Sequence, residues 1–460
     1  MARRKLIMSG MAVVLILSIL VACSAPTQTG TTSIPKPVTK VFKVGLSGPM
    51  GFDNGKLALA GAKLAADEIN AAGGFKAGND TYTIELVSAD SNEMASVPDA
   101  VSAMDKLMTV DKVNLVIAGN NSEAVMAQQE VMADNKIIML DHGAGADQLN
   151  TRLHDNYSRY KYWFRFFPGS SSYMLTPLLA SLQVACETVQ SQLGIQKPKV
   201  ALLIEKALWT EPFIKLFPPI IEKMGYENVG IWQPSPKATD LTTELTAIKQ
   251  SGAQVMMLIM AGSASIPLAT QYQQLKIPVA IAGSTAAANN SSYWQATGGC
   301  KYFPVQSWIC RTPMTDKTIS FWDKMKASAD IPQYDAVGSY DGLYIVADAA
   351  GRAGTIETDA LISALEKTDY TGVVGRYRLT ANDSARPHDV VCGPGGVNIL
   401  YAQWTDSNPD NWSVFWPNGK ELNPAITSIG KLTGWDKVTV QGGKGYMLPD
   451  WMVDYWKGQK

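Results

Sequence analysis

Between Val44 and Gly74 the chain reads VGLSGPMGFDNGKLALAGAKLAADEINAAGG, and this stretch limits the fold more than any other. Val41, Val44 and Leu46 suit a short buried strand, and the glycines, Pro49 and Asn54 that follow predict a loop over Ser47–Asn54. A helix over Lys56–Ala72 is expected next, because Leu57, Ala60, Gly61, Leu64, Ala65, Glu68 and Ile69 recur at three- and four-residue steps. Gly73 and Gly74 then stop it. Strand, Gly-rich loop and helix form the first half of a βαβ unit. The loop has neither GxGxxG nor GxxxxGK[ST], so the glycine spacing that cradles a nucleotide phosphate is missing.

The same alternation continues. Strands are predicted at Thr81–Val87, Val113–Ala118 and Lys136–Leu140, separated by helices at Val97–Val110 and Ser122–Ala133. After Trp163–Phe166 and a helix near Ser172–Leu193 a second series begins, with strands at Lys199–Ile204, Val229–Trp232, Val255–Met260 and Val279–Ala282. Its helices are expected at Trp209–Met224, interrupted by Pro218 and Pro219, at Asp240–Gln250 and at Ser265–Leu275. Later helices fall at Asp316–Ser328, Ser339–Gly351 and Thr358–Lys367, then β-like segments at Gly375–Leu379, Asn398–Trp404 and Trp412–Trp416. Such alternation gives an α/β fold of two doubly wound lobes, each a parallel sheet with helices on both faces. Ligands sit at the carboxyl ends of such strands, which draws attention to Ser47–Asn54, Gly119–Glu123 and Asp141–Asp147.

At the head of the chain Arg3, Arg4 and Lys5 precede an apolar run from Leu6 to Ala22, the pattern of a secretory signal over residues 1–22. The run is short for a membrane span and ends in Leu20-Val21-Ala22-Cys23, which resembles the lipobox of bacterial lipoproteins. That resemblance implies a lipidated Cys23 and a protein tethered to the outer face of a membrane. Residues 23–40, rich in Ser, Thr and Pro, are expected to be a flexible linker, since they hold too little apolar surface to offset the entropy of ordering them. The remainder is long enough for two ordinary domains. With 40 basic against 41 acidic residues and no basic run, nucleic acid is not an expected partner.

Four further cysteines, Cys186, Cys300, Cys310 and Cys392, allow three pairings in an oxidising compartment or four free thiols. Cys300–Cys310 is the favoured pair, close in sequence and flanking the strand-like KYFPVQSWI. There is no CxxC, and His142, His154 and His388 lie in no metal-binding or catalytic spacing, so no metal, cofactor or enzymatic activity is expected. His142-Gly143-Ala144-Gly145 is similar to an esterase oxyanion loop, but no GxSxG nucleophile motif accompanies it. Asp67 and Glu68, side by side on a helix, read as solvated.

Taken together, the opening stretch, the Gly119–Ser122 turn, Lys136–Leu149, Trp163-Phe164-Arg165 and Tyr340-Asp341-Gly342-Leu343-Tyr344 resemble the type I periplasmic binding proteins of branched-chain amino acid (Liv-type) ABC transporters. The segments Asn156–Arg165 and Gly445–Met452 are similar to one subgroup of amino acid or small-acid binders. The likeness spans roughly Val41 to Trp456. It implies two lobes joined by three crossovers, lobe I from 41–168 with 312–372 and lobe II from 169–311 with 373–460. It also implies a monomer that closes on a small carboxylated ligand and delivers it to an ABC permease. A sensory or regulatory receptor of the same fold is the alternative.

The resemblance further implies site residues. A hydroxyl and backbone N–H groups at the ends of the third and fourth strands would grip a ligand carboxylate, here Ser122 with Asn121 and Glu123 beside it, and Gly143, Ala144 and Gly145. Gly145 stands where the family has a hydroxyl, leaving only backbone donors there. Glu205 falls where the family often has an Asp that pairs with the ligand ammonium, and Trp209 where it has a Tyr. Gly262, Ser263 and Ser284 follow later strands, and Phe52, Asn54, Tyr340 and Asp341 complete the candidate set. The departures at Gly145, Glu205 and Trp209 make leucine a poor default ligand.

Overall fold

The computed structural model of the chain describes residues 39–167, 169–428 and 445–459. The signal, Cys23 and the linker up to residue 38 lie outside the described residues. Strand β1 (Thr39–Gly48) leads into α1 (Asp53–Ala71), the hairpin strands β2 (Phe75–Ala77) and β3 (Asp80–Asp90), α2 (Val97–Thr109), β4 (Leu115–Ala118), α3 (Ser122–Asn135), β5 (Ile138–Asp141), the short α4 (Gln148–Asp155) and α5 (Tyr157–Tyr160), and β6 (Trp163–Arg165). The second series is α6 (Ser171–Leu193), β7 (Lys199–Ile204), α7 (Glu211–Lys223), β8 (Glu227–Trp232), α8 (Thr242–Gln250), β9 (Val255–Met260), α9 (Ser265–Gln274), β10 (Ala280–Thr285), α10 (Tyr293–Ala296) and β11 (Pro304–Ser307). The chain continues with α11 (Thr318–Ser328), α12 (Tyr334–Ala353), α13 (Thr358–Leu365), β12 (Asp369–Thr371), β13 (Arg376–Arg378), β14 (Leu400–Gln403), β15 (Ser413–Trp416), α14 (Pro424–Thr427) and α15 (Asp450–Lys457).

The first sheet has six strands in the order β2-β3-β1-β4-β5-β6, parallel except for β2. The second has four parallel strands, β10-β9-β7-β8. A small antiparallel sheet, β11-β14-β15, and the pair β12-β13 complete the described strands. The α/β architecture read from the sequence is therefore the one found. Central strands are apolar throughout, as expected for strands covered on both faces: Leu115–Ala118 and Val255–Met260 are buried at every position.

Helix α1 buries Leu57, Ala58, Gly61, Ala62, Ala65, Ala66 and Ile69 on one side. Its partner is α12, and the two pass so closely that a Cβ at Gly61 would overlap the Ala336 carbonyl. Beyond that crossing, Tyr340 and Tyr344 both donate to Glu68 Oε2, at 2.6 and 2.8 Å, and Lys324 pairs with Oε1 at 2.7 Å. Glu68 is thus not the solvated residue expected from sequence. Burial pushes its carboxyl up, but these three partners outweigh it and hold it below the usual range.

Several other expectations change. The loop expected over Ser47–Asn54 shrinks to four residues, because Ser47 and Gly48 complete β1 and Asp53 opens α1. Helix α7 runs without a break through Pro218 and Pro219. The carbonyls four residues earlier lose their donors, but Ile214 is half-buried and Lys215 exposed, within reach of water. All four described cysteines are free thiols. Cys300 and Cys310, the favoured pair, flank β11 and are both buried and unbonded. His388 and Asp389 reach the first sheet: the His388 ring stacks on Phe164 at 4.0 Å and Asp389 pairs with Arg165.

Replacing Gly61 by Ala should force α1 and α12 apart and cost roughly 1–3 kcal/mol, the range for overpacked contacts. Urea unfolding measures this, and an unchanged midpoint would contradict the close crossing.

Candidate functional site

The carboxyl ends of the first sheet converge on the start of α3. Gly119, at φ +94°, turns the chain off β4, a conformation that costs other residues strain. Asn121 caps α3 by accepting the Ala124 N–H at 2.9 Å. Ser122 is buried, and its Oγ accepts the Ala146 N–H at 3.2 Å, pinning the loop after β5 against α3. Glu123 is exposed and reaches the other wall, where its Oε1 accepts the Leu208 N–H at 3.3 Å.

At the end of β5 the fully buried Asp141 turns toward the loop that follows, and its Oδ1 accepts the N–H groups of Gly143 and Ala144, each at 2.9 Å. These amides were expected to grip a ligand carboxylate. They are already taken by the chain's own carboxylate. On the other side of the same loop, Arg165 donates to the carbonyls of Ala144 and Ala146 at 3.0 and 2.9 Å.

Sequence reasoning missed the polar cluster behind this loop. Asp335, at the start of α12, accepts Asn54 Nδ2 at 2.8 Å and Asn120 Nδ2 at 2.7 Å, and lies 3.2 Å from His142 Nδ1. The Tyr334 hydroxyl accepts Asn54 Nδ2 at 3.1 Å, and its ring joins Phe167 and Trp308 in an aromatic trio with centroids 4.8–6.0 Å apart. Glu93, from the loop after β3, is 2 % exposed and takes the Asn121 N–H at 3.4 Å. The signal was hidden because Gln333 opens α12 without a side-chain cap, and the helix was expected only from Ser339.

The second wall centres on Glu205, also 2 % exposed. Its Oε2 accepts the Gly262 N–H at 2.8 Å and its Oε1 accepts the Trp209 indole N–H at 3.1 Å. Trp209 is half-buried and edge-on to Phe213. Ser171 Oγ lies 3.0 Å from the Gly145 carbonyl and 2.8 Å from that of Trp209, joining the two walls. Asn54, Asn121, Ser122, Glu123 and Gly145 are therefore brought together with Glu205, Trp209 and Gly262. Ser263 is exposed after β9, and Ser284 lies near the end of β10. Phe52 is 47 % exposed ahead of α1. Tyr340 and Asp341 belong elsewhere: Tyr340 binds Glu68, and Asp341 accepts the Val373 N–H at 2.9 Å.

Burial dominates the electrostatics. It pushes the Glu93 carboxyl up to about 8 and that of Asp141 to about 6, the latter against the pull of Arg165 and the two amides. It also raises Glu205, against the Gly262 and Ala261 amides and the Trp209 indole. For His142 burial works downward, but the Asp335 bond and the charges of Asp335, Asp141 and Glu93 outweigh it and the imidazole is raised. Among the described residues no three His, Cys, Asp or Glu side chains gather as metal ligands.

All of these shifts have one sign for stability. The folded state holds protons that the unfolded chain releases above about pH 4–6.5, so stability should fall as pH rises from about 5 to 8.5. Glu93→Gln, which mimics the protonated acid, should remove a contribution on the order of a few kcal/mol from that dependence. Urea denaturation across this range measures it. Equal slopes in both proteins would show that Glu93 ionises normally.

Residues 42–392 match the family model described as periplasmic binding protein. Three solved structures have the same fold. A protein assigned to branched-chain amino acid ABC transport in Silicibacter pomeroyi superposes with a TM-score of 0.69 at 17% identity, over 90% of this chain and 100% of that one. The branched-chain amino acid transporter substrate-binding protein LivJ of Streptococcus pneumoniae, in complex with isoleucine, gives 0.61 at 21% identity, covering 82% and 99%. An ABC transporter substrate-binding protein of Desulfitobacterium hafniense, in complex with Leu, gives 0.62 at 16%, covering 82% and 100%. The family model spans the strand-end residues described above, and on that match the chain belongs to the periplasmic binding proteins, a family of solute-binding proteins.

Proposed function

We propose that this chain is the extracytoplasmic receptor of an ABC importer, tethered through lipid on Cys23, which captures an amino acid or a related small molecule between two lobes and passes it to a permease. The observation that carries the reading is the pair of links across the crevice: Glu123 accepting the Leu208 N–H, and Ser171 set between the carbonyls of Gly145 and Trp209. Strand ends of two parallel sheets thus close on one another, the arrangement in which open α/β sheets take ligands. Closure of such a clamp is a population shift, limited by the ligand's preference for the closed form. The lobes divide at 41–168 with 312–372 and 169–311 with 373–460, with His388 and Asp389 of the last segment reaching back to the first sheet. Ligand contacts fall to Ser122, whose hydroxyl proton is free to donate while its oxygen holds Ala146, and to Glu123, Glu205 and Trp209.

Native mass spectrometry of the isolated protein, with thermal melts against amino acids, aromatic acids, dicarboxylates and amines, tests the reading. A bound solute at one hundred times its Kd adds about 2.7 kcal/mol by mass action. A protein that carries nothing and is shifted by no member of the panel would count against the receptor role. Trp209→Ala should weaken the solute found at least tenfold while the protein stays folded by circular dichroism. A fatty-acid analogue fed to cells should label the chain, and Cys23→Ser should abolish the label; labelling that survives this change would remove the proposed anchor.

A further inference from the structure

A cavity of about 520 Å³ opens beside α10, lined by Ser291, Trp294, Gln295, Gly298, Gly299 and Ser407. That volume lies in the range of small-molecule sites. None of the six residues is charged, and none belongs to the strand ends that border the crevice.

Its one large wall is aromatic. Trp294 is half-buried and rests on the fully buried Trp404, with ring centroids 6.0 Å apart. Trp404 is itself fixed, its indole N–H donating to the Ala288 carbonyl at 2.8 Å. Two glycines leave the Trp294 ring uncovered. A Cβ at Gly299 would lie 3.7 Å from Trp294 Cζ2 and 3.8 Å from Cε2, so a side chain there would start against the indole, and a Cβ at Gly298 would meet nothing within 4 Å. Both hold a positive φ, +73° at Gly298 and +107° at Gly299, which glycine adopts without strain. The turn they form is tied down: the Gly299 N–H donates to the Trp294 carbonyl at 2.7 Å, and the Gly299 carbonyl accepts from Gln273 Nε2.

The polar groups around the ring are uncharged and mostly uncommitted. Gln295 and Ser407 are exposed, and neither their side chains nor the Trp294 indole N–H bond to another described residue. Ser291 Oγ is engaged, donating to Asp330 at 2.5 Å. An amide and a hydroxyl each donate and accept, so they match the hydroxyls of a ligand. No charge lines the cavity to offset the desolvation of an ion. An indole face beside such groups suits a molecule that is apolar on one face and hydroxylated at its edge. A pyranose has that form, with C–H bonds across the ring face and hydroxyls around the rim.

We propose that this cavity binds a neutral sugar ring, free or at the end of a glycan chain, stacked on Trp294 with its hydroxyls on Gln295 and Ser407. The proposal does not rest on the receptor reading, since none of the lining residues belongs to the crevice.

An open site with a single ring binds weakly, and saturation-transfer NMR reads weak binding directly. The full chain, in a detergent without a sugar headgroup, is mixed in turn with methyl β-glucoside, N-acetylglucosamine and their β-linked trimers. At least one of the four should bind, with the strongest transfer to ring C–H protons. Ser407→Arg, at an exposed position, should crowd the cavity and weaken that sugar at least tenfold. Trp294→Ala should do the same, whereas Trp294→Phe, which keeps an aromatic face, should stay within threefold. A trimer that binds tighter than its monomer supports a glycan end, and equal affinity supports a free sugar. Transfer to none of the four overturns the proposal, as does binding that survives both Ser407→Arg and Trp294→Ala. Binding lost instead with Trp209→Ala would place the sugar in the crevice, which overturns the proposal and leaves the receptor reading standing.

Discussion

Arg165 is a full positive charge with no exposed surface, at the end of the last strand of the first sheet. A buried guanidinium is tolerable only if nearly all of its donors are used. Here they reach the carbonyls of Ala144 and Ala146, Asn150 Oδ1 at 2.7 Å and Asp389 Oδ2 at 3.2 Å, while the plane lies 4.9 Å from the Trp163 ring. These bonds tie β6 to the loop after β5, to α4 and to the returning segment at 388–389. They also turn two carbonyls of residues 143–147 toward Arg165, while amides of the same loop go to Asp141 and to Ser122. The polarity of the loop that borders the crevice is fixed from beneath.

The same economy governs the other strand ends. The amides of Asn121, Gly143, Ala144 and Gly262 are each taken by an acid of the chain, and that of Ala146 by the Ser122 hydroxyl, so these loops hold their shape through internal bonds. In the proposed receptor, recognition would fall to side chains that still have capacity: the Ser122 hydroxyl, the exposed Glu123 carboxylate, the second lone pairs of Glu205 and the Trp209 ring. Glu123 and Trp209 sit on opposite walls and are the more accessible of these.

The fold was legible because its signals are local. Strands such as Val255–Met260 and Lys199–Ile204 coincide with their expected limits, and α2, α6 and α9 begin or end within a residue of theirs. Local patterns failed where tertiary contacts overrode them. The start of α12 at Tyr334 carries no capping side chain, and its first turn is held by Asn54 and Asn120, more than two hundred residues away. The prolines of α7 read as a break, yet Phe213, Phe217, Ile220 and Ile221 bury one face and keep the helix continuous.

The sequence by itself determined the α/β class and the alternation of elements. Period and punctuation encode these, since they depend on neighbours a few positions apart, whereas Ser122, Glu123, Glu205 and Trp209 were singled out by the resemblance to the family. Only the tertiary structure decided which polar groups remain free. It gave the Gly143 and Ala144 amides to Asp141, Tyr340 to Glu68 and Asp341 to Val373, and it left Cys300 and Cys310 as separate thiols. A hydrogen bond is settled by which partners the fold brings within about 3 Å, and those partners lie anywhere from two residues apart in the chain to several hundred.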